Sequence, residues 1–112
     1  MTTQRKHHFY SHLVSLDQFI VILDGLTLSD EERIHLVTII QSNIHYTIVD
    51  LVLSHLSSDD KKIFLHIVQN NEHKKTWQFL QTKTNGLEEK ILNIVEELKK
   101  ELSANINELK ER

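Results

Sequence analysis

The stretch SDEERIHLVTIIQSNIHYTIVDLVLSHL, residues 29–56, decides the fold. It opens on Ser29 with Glu32 three positions on, the capping-box pattern in which each side chain satisfies a backbone N–H at the other residue. Asp30, Glu31 and Glu32 make an acidic first turn, which suits the positive end of a helix dipole. Val37, Ile40, Ile44, Ile48 and Leu51 then recur mostly at spacings of three and four, one face of an α-helix. Ile39, Tyr46 and Leu53 form a second stripe at heptad spacing. A surface helix needs one apolar stripe to join a core. With two, the helix over 29–56 is either the spine of a bundle or also meets another chain.

Similar signals continue outward. Upstream, Leu13, Leu16, Phe19, Ile20 and Leu23 predict a helix over 11–24, stopped by Gly25 in a left-handed conformation. The polar residues before it predict a flexible tail over 1–10. Downstream, Ser57 or Ser58 with Asp59 and Asp60 starts a third helix, which carries Ile63, Phe64, Ile67 and Val68 and ends near Asn70 and Asn71. Residues 28–43 and 56–71 share a Leu-Ser start and an acidic turn, which either a short duplication or two similarly capped helices would produce. A fourth helix over 72–82 turns Trp77 and Leu80 inward. Asn85 with Glu88 then caps the last, where Ile91, Val95, Leu98, Leu102, Asn105 and Leu109 alternate four and three. That is a heptad seam, with Asn105 as its register-setting polar position.

The fold expected is all-α: a compact bundle of four to five helices, with a long central helix and a long heptad-spaced C-terminal helix. One helical domain over 11–112 follows the tail. Composition agrees, since 112 residues suit one domain. Pro is absent and Gly occurs twice, too few turn formers for a sheet protein.

The same numbers exclude chemistry. With no Cys, disulfides, thiol catalysis and Cys-ligated zinc are ruled out. A net charge of -3 opposes nucleic-acid binding, which recruits excess Lys and Arg. The apolar run at 19–23 is bounded by Asp17-Gln18 and Asp24, too short for a membrane span or signal peptide, so a cytoplasmic protein is expected.

His7, His8 and His12 invite a metal reading, but zinc needs three or four fixed ligands and these imidazoles fall on or beside a tail. Glu32 and His35 have the Glu-x-x-His spacing of di-iron bundles, which require a second such pair and two further Glu. Glu32 is already explained as a capping group. His55 and His66 lie near apolar faces and are expected buried and hydrogen-bonded. No Gly-x-Ser-x-Gly elbow or phosphate-cradling Gly loop occurs, and many Ser and Asp serve helix starts. No residue is therefore assigned to catalysis, a cofactor or a metal, and no enzyme activity is expected.

The motifs Phe-Ile-Val-Ile-Leu-Asp-Gly-Leu (19–26), Leu-Ser-Asp-Glu-Glu-Arg-Ile (28–34) and Leu-Ser-Ser-Asp-Asp-Lys-Lys (56–62), with residues 77–80 and the charged last helix, carry a resemblance. Over residues 19–106 the chain resembles small uncharacterised all-helical proteins of candidate-phylum bacteria. The resemblance implies a helical fold and no site residues.

The function expected is protein–protein interaction, as an adaptor, assembly factor or homo-oligomer. The partner-binding candidates are Ile39, Tyr46 and Leu53 on the second helix, or Leu98, Leu102 and Leu109 on the last. The alternative is a small regulator binding nucleic acid through Lys74, Lys75, Trp77, Phe79 and Lys83, since a cationic strip beside aromatics can hold single strands. His-mediated metal binding ranks third.

Overall fold

In the computed structural model, residues 8–110 are described, with side chains through Asn107. Ser29 begins the long helix as its spacing predicts. Its hydroxyl accepts the Glu32 N–H at 3.1 Å, and the Glu32 carboxylate accepts the Ser29 N–H at 3.0 Å. Among the described residues the chain forms five helices and no strand: α1 (Asp17–Leu23), α2 (Asp30–Ser54), α3 (Ser58–Gln69), α4 (His73–Lys83) and α5 (Leu87–Lys110). The predicted all-α architecture, with a long central and a long C-terminal helix, is the one observed.

α1 packs against α5 and α2, α2 also packs against α5, and α3 and α4 form a helical hairpin. The buried line on α2 is Ile40, Ile44, Ile48 and Val52, with Val37 and Leu51 half-buried beside it. Phe19 and Leu23 from α1, Phe64 from α3, Leu80 from α4, and Leu87, Ile91 and Val95 from α5 complete one continuous core. Burying an aliphatic or aromatic side chain of this size contributes about 1.5–3 kcal/mol. Tethers at the margin add less: Arg33 to Asp24 at 3.1 Å joins α2 to the end of α1, and Lys99 reaches Gln18 on α1 at 3.2 Å. An exposed ion pair such as the first contributes about 0–1 kcal/mol.

The N-terminal segment differs from its expected form. Of the tail predicted over 1–10, residues 1–7 lie outside the described residues, and Phe9 and Tyr10 are 3% and 4% exposed within the core. Phe9 meets Phe64 edge-to-face, ring centroids 5.4 Å apart. Two adjacent aromatics carry enough apolar area to hold a segment that has no helical period. The first helix is also shorter than 11–24. Ser11 accepts the His8 N–H at 2.7 Å and Ser15 accepts the Asp17 N–H at 3.3 Å, so both hydroxyls serve turns and helix formation waits until Asp17.

The helix ends differ in detail. Gly25 follows α1, but positive φ is found at Gly86 and Asn71. Asn71 ends α3 in a Schellman turn, with the Asn71 N–H on the Val68 carbonyl and the Glu72 N–H reaching back to Ile67. The first intrahelical bond of α5 runs from the Lys90 N–H to the Gly86 carbonyl at 3.1 Å, which makes Gly86, not Asn85, the cap position.

On α5 the expected heptad seam changes register. Ile106 is buried where Asn105 was expected, and Asn105 is exposed. The inward line is Leu87, Ile91, Val95, Leu98, Leu102 and Ile106, spaced four, four, three, four and four. A strict heptad returns to the seam every 3.5 residues by alternating threes and fours, whereas this line steps mostly by four and lies against α1 and α2 of the same chain.

Candidate functional site

Two surfaces stand apart from the core. The first is the outward side of α2. Residues 39, 46 and 53 lie about half a turn away from the buried line. Tyr46 is 71% exposed and Ile39 42% exposed, while Leu53 is half-buried against the core. Beside Tyr46 an open groove of about 550 Å³ runs between α2 and α5, lined by Thr47, Asp50, Leu51, Ser54 and Ile94 as well. The candidates on α5 are placed differently: Leu98 and Leu102 pack on the core of their own chain, and the side chain of Leu109 lies outside the described residues.

Among the described residues α2 alone is long and apolar enough to cross a membrane, by length and composition only. The expectation that no run reaches spanning length looked at 19–23 and overlooked this helix. Ile40, Ile44, Ile48 and Val52 of that span are turned into their own domain.

The second surface joins the N-terminal segment to α4. His73, Lys74, Trp77, Gln78 and Gln81 recur on one side of α4, and with His8, Phe9 and His12 they line a groove of about 510 Å³. The His12 ring meets Trp77 edge-on, with centroids 4.5 Å apart. Behind it, His8 stacks on Tyr10 at 5.0 Å with a 7° interplanar angle and lies 4.6 Å from the His45 ring. A hydrogen bond of 2.9 Å joins Tyr10 Oη to His45 Nδ1. Burial raises the Tyr10 phenol above its ordinary pKa, because a phenolate would lose water that this site does not replace.

The basic–aromatic strip expected over 74–83 is divided by the helix. Lys74 and Trp77 belong to the groove. Lys83 pairs with Asp60 of α3 at 3.6 Å and lies 5.8 Å from the centre of the Phe79 ring, while Lys75 pairs with Glu72 at 3.9 Å. Trp77 is half-buried rather than a full core residue, and Leu80 fills the core position beside it. Thr76 is fully buried on the same inward side, its hydroxyl satisfied by donating to the Glu72 carbonyl at 2.8 Å.

The imidazoles also sort differently from expectation. His55 and His66 are exposed, His66 with Asn70 at 3.3 Å, whereas His45 is hydrogen-bonded to the Tyr10 phenol. His8 and His12 lie against different rings, and His7 falls outside the described residues. Among the described residues no three His, Asp or Glu stand together as metal ligands. Glu32 is engaged with Ser29, whose backbone N–H first and side chain second hold its carboxyl below the usual range. His45 had no signal in the sequence, since its partner lies 35 positions away.

Among the described residues, the architecture and these two surfaces define a small five-helix protein with an outward apolar face and an aromatic groove. Comparison of the chain with protein-family models, curated proteins and solved structures found no match.

Proposed function

We propose that this protein is a non-catalytic interaction module, an adaptor, assembly factor or homo-oligomer, that works through the outward face of α2. One observation carries the reading: α2 buries one side in its own core and keeps Ile39 and Tyr46 exposed on the other. Large aromatics tend to anchor protein interfaces because they bury much area at little rotamer cost. Leu53, Leu98 and Leu102 then serve the fold first, and the working residues narrow to Ile39 and Tyr46.

Light scattering over a range of concentrations tests the homo-oligomer form. Mass rising above 13.2 kDa in the native protein, and staying there in an Ile39→Asp/Tyr46→Asp variant of unchanged helicity, supports it. A photoreactive residue at position 46 tests the adaptor form, by a discrete adduct in cells that is lost with Ile39→Asp. A concentration-independent monomer that also gives no adduct overturns the proposal.

A cytoplasmic location and kinship with all-helical proteins of candidate-phylum bacteria belong to the same proposal. The first is supported by the absence of Cys and by the inward packing of α2. Recovery of the chain with the membrane fraction after a salt wash would refute that location.

A further inference from the structure

We propose that the groove between the N-terminal segment and α4 is a binding site for a small aromatic anion, a planar ring bearing a phosphate or carboxylate, about the size of one nucleoside monophosphate. It stands apart from the outward face of α2, so either proposal can fail alone.

Size and lining lead to this ligand class. The volume of about 510 Å³ falls within the range of small-molecule sites, about 300–1,000 Å³. Five of its side chains are rings, His8, Phe9, His12, His73 and Trp77, and planar ligands stack on such walls. Charge complementarity sets the sign. The described lining residues include no carboxylate, while Lys74 donates as a cation and the imidazoles of His8, His12 and His73 offer ring N–H donors. Gln78 and Gln81 each offer a donor and an acceptor, which a heterocyclic edge can use.

The walls are held before any ligand arrives. His12 is set against the edge of Trp77, and His8 is stacked on a tyrosine that is itself hydrogen-bonded to α2 through His45. Ordering these groups in advance removes part of the entropy cost of binding. The nearest competing use of the basic residues is already taken, because Lys75 and Lys83 have carboxylate partners and Lys74 is the cation that lines the groove.

Trp77 is the only tryptophan, so its fluorescence reports on this site alone. Adenosine 5′-monophosphate, adenosine, inorganic phosphate and a ten-residue oligoadenylate are titrated in turn. The monophosphate is expected to change the emission saturably, with adenosine and phosphate each about tenfold weaker or more. Lys74→Glu should weaken the monophosphate about tenfold, and Gln81→Glu, which places a carboxylate in the groove, by at least as much. Both positions are exposed, and an unchanged circular dichroism spectrum and melting temperature accompany the supporting result. No saturable change up to millimolar monophosphate overturns the proposal, as does adenosine binding equally well or indifference to both substitutions. An oligoadenylate that binds more than about tenfold tighter than the monomer also overturns it, in favour of a strand-binding surface.

Discussion

Replacing Phe9 by Ala measures how firmly the N-terminal segment belongs to the fold. Phe9 is 3% exposed, so its removal takes away nearly the whole of a buried ring. Such truncations cost about 3–5 kcal/mol where the surroundings relax only in part. Relaxation here is limited, because the ring sits edge-on to Phe64 at 5.4 Å with an 88° interplanar angle, and Phe64 is itself fully buried. Unfolding entropy near 2.1 cal/mol/K per residue makes each kcal/mol worth roughly 4 °C at this length, so a fall of roughly 12–20 °C is expected. Urea unfolding followed by far-ultraviolet circular dichroism gives the free energy, and Val21→Ala serves as control, since Val21 is 60% exposed. The control should stay within about 0.5 kcal/mol. A double-mutant cycle with Phe9→Leu and Phe64→Leu should return a coupling of about 0.5–1.5 kcal/mol, the usual value for an edge-to-face pair. A loss below about 1 kcal/mol for Phe9→Ala with an unchanged urea slope would refute the packing argument, because a ring that deep cannot leave so cheaply.

Three further outcomes follow from named contacts. The Tyr10 phenol has a folded pKa raised above the unfolded value, so its contribution is fully present below about pH 10 and is lost as pH rises beyond it. Urea titrations at neutral and strongly alkaline pH should show that loss in the native protein and a smaller one in Tyr10→Phe; equal losses would discredit the buried phenol. Ser29→Ala removes the side-chain cap of α2 and should cost about 1 kcal/mol by the same assay, with no cost counting against the capping box. On α5, Ile106→Ala should cost about 2–5 kcal/mol and Asn105→Leu stay within about 0.5 kcal/mol, and the reverse order would restore the heptad register.

What was legible in the sequence was local. The capping box at Ser29 and Glu32 can be read because its partners lie three residues apart, and both hydrogen bonds form as predicted. Ser57 likewise accepts the Asp60 N–H at 3.2 Å and starts α3. Periodicity placed α2, α3 and α5 because a face repeating every 3.6 residues depends on nothing distant. It misassigned the far end of α5 because Asn105 and Ile106 are adjacent, and only the packing of α1 and α2 decides which is turned inward.

The contacts that build the candidate surfaces are of the other kind. Tyr10 reaches His45 and His12 reaches Trp77, pairs with no shared local pattern, so neither could be inferred before the helices were placed. The same limit explains the misjudged histidines. His66 follows Leu65 on a helix and reads as a core position, yet the buried side of α3 is Phe64 and Ile67 and leaves His66 exposed. His45 sits between Ile44 and Tyr46 with no such cue, and a phenol from the opposite end of the sequence fixes it. The anchor of that phenol is Phe9, which ties the groove to one structural fact. If Phe9 and Tyr10 hold the N-terminal segment on α2 and α3, the groove has two walls and His12 meets Trp77. If they do not, α4 presents a single basic–aromatic side and the argument for a small ligand held between two walls goes with the missing one. The outward face of α2 is indifferent to that outcome, because Ile39 and Tyr46 lie on the opposite side of the helix from its core line.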